Sequence, residues 1–194
     1  MAAIALAVSA IGSASCSSMV RGSESNSYLI IDALLAQAGG AEGEGENTLQ
    51  SDVVTGGGVI EDTGTVSFRL ALKDPGSPTV PNVATTNNFI TVNRYRIEYV
   101  RADGRNTPGV DVPFPWDGAF TVTVRAEGTA EANFVMVRIQ AKREPPLTSL
   151  RGCGGTCAIT AIAKITFFGH DQTGRAVQVS GNIQVDFADW ADPE

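Results

Sequence analysis

The sequence predicts an all-β fold: an antiparallel β-sandwich with long proline-rich loops, with a closed β-barrel as the alternative. Apolar and polar side chains alternate in many segments after residue 26, and a period of two is typical of strands with one buried face. Asp-Gly and Glu-Gly pairs, which favour turns, separate several of these segments, and no segment shows a convincing helical period. About seven short strands with regular turns are typical of a sandwich, and they are expected at 28–35, 65–73, 89–101, 119–125, 130–141, 156–168 and 176–187.

Three of these segments carry further information. Residues 28–35 form a nearly continuous apolar run that fits a strand or a short helix, and the β-rich neighbourhood favours a strand. Residues 130–141 are apolar on both faces, which predicts a central strand. Gly181 lies on the apolar face of the strand at 176–187, where a glycine indicates a bulge or a close crossing of another segment.

Two long connections, 74–88 and 102–117, contain six of the nine prolines. Long ordered loops are often functional, but the simpler interpretation is that these loops are extended, packed coverings over a sheet edge. Phe114, Trp116 and Asp117 are the best candidate ligand-binding residues, because flat aromatic faces stack on sugar rings or on side chains of a partner. The alternative is that the aromatic rings plug one end of the sandwich.

Residues 1–15 read as an export signal, because an uncharged apolar run is followed by small residues. The run is too short to span a membrane as a helix. The residues Ser13-Ala14-Ser15-Cys16 resemble the lipobox of bacterial lipoproteins, which implies lipidation at Cys16 and a membrane as partner. The alternative is ordinary cleavage after Ala14 or Ser15, which leaves Cys16 as a free thiol.

The expected domain organisation follows from this signal. Residues 1–15 are the signal peptide, 16–26 a polar tether, 27–188 the sandwich domain and 189–194 an acidic tail. We expect an exported protein of the cell envelope, an outer-membrane or surface lipoprotein, with a secreted or periplasmic protein as the alternative.

The stretch ITFFGHDQTGRAVQVSGNIQVDF at 165–187 resembles the last strand pair of bacterial immunoglobulin-like and fibronectin type III-like domains. In those domains an aromatic strand leads through a polar Asp-x-x-Gly turn to the final strand. The resemblance implies a non-catalytic module with a structural, adhesive or assembly role. The alternative is a module that binds a carbohydrate or a protein through the loop of Phe114 and Trp116.

Charge and composition narrow the expected partners. The formal net charge is −7 and no three basic residues stand in a row, which argues against nucleic acid, whose phosphates need clustered cations. The acidic groups at 42–46 and 186–194 look like solvated, mutually repelling segments. An envelope protein or a glycan remains the expected partner.

Candidate catalytic and metal-binding residues are few. His170 is the one histidine, its place at the start of a turn favours an exposed residue, and none of the familiar hydrolase or phosphate-binding motifs occurs. We therefore expect no enzyme activity, no cofactor and no metal. Cys153 and Cys157 enclose only three residues, and in an oxidising compartment we expect them to form a structural disulfide.

Overall fold

The computed structural model describes residues 24–190, and two β-sheets pack face to face around a single hydrophobic core. Phe68 of one sheet meets Phe167 of the other edge to face, with ring centroids 5.1 Å apart. The strands are β1 (Ser27–Gln37), β2 (Thr48–Asp52), β3 (Asp62–Leu72), β4 (Gly76–Ser77), β5 (Val80–Pro81), β6 (Ile90–Val100), β7 (Trp116–Val124), β8 (Ala130–Val137), β9 (Ile159–Asp171) and β10 (Ala176–Ala188). The one described α-helix, α1, covers Ile139–Arg143, and short 3-10 turns cover Thr86–Asn88, Leu147–Leu150 and Gly154–Thr156.

The first sheet has the strand order β1-β3-β8 and the second β2-β10-β9-β6-β7, while β4 and β5 form a separate small hairpin. All neighbouring strands run antiparallel except β2 and β10, which are parallel. Backbone hydrogen bonds also connect the two main sheets on the β1 side, where the Ser25 N–H donates to the Ala176 carbonyl at 3.2 Å and Ala36 and Glu46 exchange two N–H···O bonds of 2.8 Å. The prediction of an all-β fold with two packed sheets is confirmed.

Alternation located seven of the ten strands, including β1, where the structure decides between strand and helix. It missed β2, whose sequence TLQSD has Leu49 as its one large apolar side chain. β2 forms because it pairs with β10 at the edge of the second sheet, so that Leu49 becomes almost fully buried. Such a pairing depends on residues far away in the chain, and a local pattern does not contain it.

The expectation of a central strand at 130–141 is wrong. β8 ends at Val137, α1 follows, and β8 pairs only with β3 among the described residues. The segment is apolar on both faces because β8 also lies against β7 of the opposite sheet. A register shift beside Asp62 turns Val137 into the core next to Met136, so consecutive side chains are buried.

Two tyrosines of β6 connect the second sheet to β8. The Tyr95 hydroxyl accepts a hydrogen bond from the backbone N–H of Val135 at 3.2 Å, and the Tyr99 hydroxyl donates to the backbone carbonyl of Met136 at 2.8 Å. Burial raises the pKa of both phenols, so both hydroxyls keep their protons at neutral pH. These side chains satisfy backbone groups that a further strand would otherwise satisfy.

The close crossing expected at Gly181 is present. A Cβ at this position would lie 2.8 Å from the Leu34 side chain and 3.1 Å from Ile31. Glycine therefore lets the side chains of β1 pack directly on the backbone of β10, and a Cβ here would require the ends of Leu34 and Ile31 to shift.

The two long loops differ in how they pack. In 74–88, β4 and β5 are exposed, as are Val80 and Val83 at 71% and 83%, so the expectation of a packed covering is wrong for this hairpin. In 102–117, Val112 and Pro113 are buried and Val112 belongs to the core, so part of this loop is packed.

Ordered contacts extend slightly beyond the predicted sandwich boundaries. Glu24 forms a bridge with Ala176, and the Ser25 N–H donates to the Ala176 carbonyl at 3.2 Å. At the other end, the Trp190 N–H donates to Asp52 at 3.1 Å. In the described part of the chain, no helix is long and apolar enough to cross a membrane.

Candidate functional site

The predicted binding residues Phe114, Trp116 and Asp117 do not share one surface. The Phe114 ring is 46% exposed and lies over Gly109, which has φ +76° and no room for a Cβ. Trp116 is half-buried and meets Tyr95 edge to face at 5.4 Å. Asp117 points to the opposite face of β7, as alternation requires.

Asp117 belongs to a charged row on the outer face of the second sheet. Its carboxylate accepts hydrogen bonds from Arg94 at 3.2 Å and from Arg96 at 2.7 Å, and Arg96 also contacts Glu98 at 3.3 Å. These groups are substantially exposed, so each pair contributes little to stability. The structure assigns Asp117 to this network and leaves Phe114 as the exposed aromatic side chain of the loop.

The disulfide predicted between Cys153 and Cys157 is present, whereas Cys16 lies outside the described residues. The bridge closes a short turn that packs against the end of the chain. The Trp190 indole ring lies beside Gly155, where a Cβ would approach it to 3.1 Å, and Asp189 accepts a hydrogen bond from the Gly152 N–H. The disulfide therefore shapes the surface on which residues 189 and 190 rest.

Replacing both Cys153 and Cys157 by serine is expected to lower the free energy of unfolding by about 2 kcal/mol, because so short a loop restricts the unfolded chain only modestly. The Trp190 indole should become more exposed to solvent before the global unfolding transition, and its fluorescence should change accordingly. Urea titration followed by fluorescence measures both effects. Reduced wild-type protein is the control and should behave like the double variant, and equal stability in both redox states would contradict a structural role.

His170 is exposed at the end of β9, and the neighbouring Asp171 turns inward. Asp171 accepts hydrogen bonds from the Thr173 N–H at 2.9 Å, the Thr173 hydroxyl at 2.6 Å and the Arg175 N–H at 3.0 Å. Burial alone would raise the pKa of this carboxyl, but the hydrogen bonds from Thr173, Arg175 and Ser25 outweigh burial and lower it. Asp171 orders the β9–β10 turn and is not paired with His170.

Asp171 should make the fold acid-sensitive. Because its folded pKa lies below the unfolded value near 3.8, its contribution to stability is complete above that value and is lost as the pH falls through the folded pKa. Asp171→Asn is expected to be less stable than wild type at neutral pH and to show a shallower loss of stability in acid. Chemical denaturation between pH 2 and pH 7 measures this, and parallel acid profiles would contradict it.

A groove of about 560 Å³ opens at the end of the sandwich where β1 begins. Its walls come from the start of β1, the bulge of β6, the end of β9 and the start of β10, and include Tyr28, Asn93, Phe168, Gly169 and Gln178. The bulge between Val92 and Arg94 shifts the register of β6 with both neighbours. At Gly169 a Cβ would lie 2.4 Å from the Thr91 carbonyl oxygen, so the backbone itself forms part of the wall.

Two cations lie over aromatic rings in this groove. The Arg94 guanidinium stands 4.1 Å from the Phe168 ring centroid, and Lys73 stands 5.3 Å from that of Tyr28. Lys73 also contacts Glu24 at 3.2 Å. The groove thus combines an exposed aromatic ring, amide side chains and charges of both signs, a mixture suited to polar ligands with one apolar face.

The sequence contained only a partial signal for this groove. Phe167 and Phe168 are adjacent in an alternating strand, so one of the two rings must leave the core. Phe167 is buried and Phe168 faces the groove. The meeting of four strand ends depends on the topology, which the local pattern does not specify.

The most unusual polar group of the core is an ion pair between Asp62 and Lys142. Both side chains are completely buried, and Lys142 Nζ lies 2.7 Å from Asp62 Oδ1. Asp62 Oδ1 also accepts from the Gly39 N–H at 2.8 Å, and Oδ2 accepts from the Ser51 hydroxyl at 2.6 Å. Burial raises the pKa of Asp62, and Lys142, Ser51 and Gly39 offset only part of that effect.

Sequence reasoning did not single out this pair. Asp62 opens β3, Ser51 lies in β2 and Lys142 lies in α1, so three elements distant in the chain bring the groups together.

Among residues 24–190 there is no group of three or more histidine, cysteine, aspartate or glutamate side chains that could hold a metal ion. No protein-family model, curated protein or solved structure matches the chain.

Proposed function

We propose that the chain is an exported, non-catalytic β-sandwich module of a bacterial cell envelope with a structural, adhesive or assembly role. The observation that carries the proposal is the sandwich itself, whose open strand edge at β8 is tied by Tyr95 and Tyr99. An edge strand whose backbone groups are satisfied by side chains resists adventitious strand pairing, which suits a scaffold outside the cell. The disulfide between Cys153 and Cys157 supports an oxidising location.

Attachment to a membrane through lipidated Cys16 completes this proposal. The described chain begins beside the groove at Glu24, so a tether upstream of it would hold that end of the sandwich near the lipid surface. The test is the intact mass of the protein purified from the membrane fraction. Diacylglyceryl and acyl groups on Cys16 are expected, and cleavage elsewhere with an unmodified Cys16 would contradict the anchor.

A second candidate function, binding of a carbohydrate, is favoured by the groove beside Tyr28. Tyr28 is 55% exposed although it is aromatic, and amide side chains at Asn93 and Gln178 stand nearby. Sugar rings combine an apolar face with hydroxyl groups, so an exposed ring beside amides suits them. This location differs from the loop of Phe114 and Trp116 that the sequence favoured.

Binding to purified peptidoglycan and to soluble envelope polysaccharide tests the two locations. If the groove is the site, Tyr28→Ala should weaken binding about tenfold or more, consistent with the loss of a central aromatic contact. Phe114→Ala is the matched control, since it removes an exposed ring of the other surface, and it should bind like wild type. The reverse result would assign binding to the loop, and no binding by wild type would contradict this second function.

A further inference from the structure

The completely buried contact between Lys142 and Asp62 brings together an amine and a carboxyl group, which can condense into an amide. The 2.7 Å separation of Nζ from Oδ1 places the amine against the carboxyl group, whose carbon is one covalent bond behind that oxygen. Reacting groups held at contact distance inside a packed core gain a large advantage over the same groups in water. Both side chains are 0% exposed, so water is excluded from the pair.

Burial also favours a reaction that removes the two charges of the pair. Two charges removed from water carry a large desolvation cost that a single ion pair does not fully offset. Proton transfer from Lys142 to Asp62 along their hydrogen bond produces a neutral amine and a neutral acid. The raised pKa of Asp62 favours this neutral form, in which the amine has a free electron pair.

We propose that Lys142 and Asp62 condense in the folded protein into an isopeptide bond between Nζ and Cγ, with release of one water molecule. The amine attacks Cγ, and a C–N bond forms. The C–Oδ1 bond breaks, and Oδ1 leaves as water with two protons that both came from Nζ. An ammonium and a carboxylate thus become one amide and one water, and no oxidant, reductant or other reactant is needed.

The neighbours of Asp62 have matching roles in this step. The Ser51 hydroxyl donates to Oδ2 at 2.6 Å, so it stabilises the negative charge that develops on the oxygen that remains as the amide carbonyl. The Gly39 N–H donates to Oδ1 at 2.8 Å and holds the leaving oxygen beside the amine. Ser51 and Gly39 are therefore positioning groups.

The bond would close a ring of the chain between β3 and the helix that follows the neighbouring strand β8. Asp62 and Lys142 are 80 residues apart in the chain, and they join the first strand residue of β3 to the helix that follows β8. A cross-link that encloses a long segment restricts the unfolded chain strongly. For a module with a structural role this means resistance to unfolding that does not depend on redox conditions.

Mass spectrometry of the full, denatured and reduced wild-type chain tests the proposal. The measured mass of the wild-type chain is expected to be one water below the mass calculated from its sequence. Lys142→Arg, which keeps the positive charge but has no primary amine, is expected to show its full calculated mass. Trypsin should release a branched peptide in which 22–69 is joined to 139–143 and the bond after Lys142 is uncut. Since Asp-Gly pairs such as Asp103-Gly104 also lose water as succinimides, the branched peptide decides.

Amine labelling of the unfolded chain gives a second readout. Lys73, Lys142 and Lys164 are the lysines of the sequence, and after denaturation reductive methylation should modify Lys73 and Lys164 but not Lys142. Complete methylation of Lys142, or separate 22–69 and 139–142 peptides from wild type, would overturn the proposal. Ser51→Ala should still fold, and slower appearance of its branched peptide is expected, whereas an unchanged rate would remove Ser51 from the reaction.

Discussion

Phe167→Ala is expected to lower the free energy of unfolding by about 3–5 kcal/mol, the range for removing a fully buried aromatic ring. Phe167 is at 0% exposure, and its ring lies 5.1 Å from Phe68, 5.4 Å from Phe134 and 6.1 Å from Phe120. The substitution therefore removes ring contacts between the two sheets and leaves a cavity in the core. Since whole domains are stable by only about 5–15 kcal/mol, a large fraction of the variant molecules should be unfolded near physiological temperature.

Phe168→Ala is the matched control, because it removes the same ring one residue further along. Phe168 faces the groove and is half-buried, and its main specific contact is with Arg94. Its loss should cost about 1 kcal/mol or less. Urea unfolding of both variants measures the difference, and equal losses of stability would contradict the assignment of one ring to the core and the other to the groove.

This pair of phenylalanines also shows how far the sequence leads. Alternation over 156–168 predicted a strand and placed Phe167 with Ile159, Ala161, Ala163 and Ile165 on one face, and the structure buries all five. The predicted faces of β10 are confirmed in the same way at Ile183, Val185 and Phe187. Local alternation is sufficient here because each strand has one face in the core.

Local patterns fail where a segment owes its conformation to distant partners. Leu49 alone does not specify a strand, and β2 exists because β10 offers a parallel edge. Residues 138–141 look like a continuation of β8, but α1 begins there and buries Lys142 against Asp62. A charged side chain carries no sequence signal for complete burial, so the most distinctive polar site stayed hidden.

The loop of Phe114 and Trp116 illustrates a different limit. The sequence showed aromatic residues in a proline-rich loop, a pattern that fits both binding and plugging. In the structure Trp116 packs on Tyr95 and Phe114 covers Gly109, so each ring has its own packing partner. The groove beside Tyr28, by contrast, needed four strand ends to meet, and only the sheet order determines that.

Lys142→Met is expected to lower the free energy of unfolding by about 3–5 kcal/mol, because it removes one partner of a buried ion pair and leaves the carboxyl of Asp62 without its counter-charge. Methionine has a similar length, so the loss does not come from an empty space. The loss should be present with either the ion pair or the isopeptide bond, and thermal or urea unfolding at neutral pH measures it. Lys164→Met is the control, since Lys164 is exposed on β9 and its loss should change stability by about 0.5 kcal/mol at most.

The double variant Lys142→Met with Asp62→Asn separates the charge from the hydrogen bonds. Asparagine keeps one oxygen to accept from the Gly39 N–H, its amide N–H can donate to the Ser51 hydroxyl oxygen, and it carries no charge. The double variant should therefore be more stable at neutral pH than Lys142→Met alone. In Lys142→Met the pKa of Asp62 stays raised by burial. The contribution of Asp62 to the stability of this variant is therefore complete below the unfolded pKa near 3.8 and is lost as the pH rises through the folded pKa. That rising-pH loss should vanish in the double variant. If the double variant is no more stable than Lys142→Met and has the same pH profile, the unpaired buried charge of Asp62 is not the cause of the stability loss in Lys142→Met.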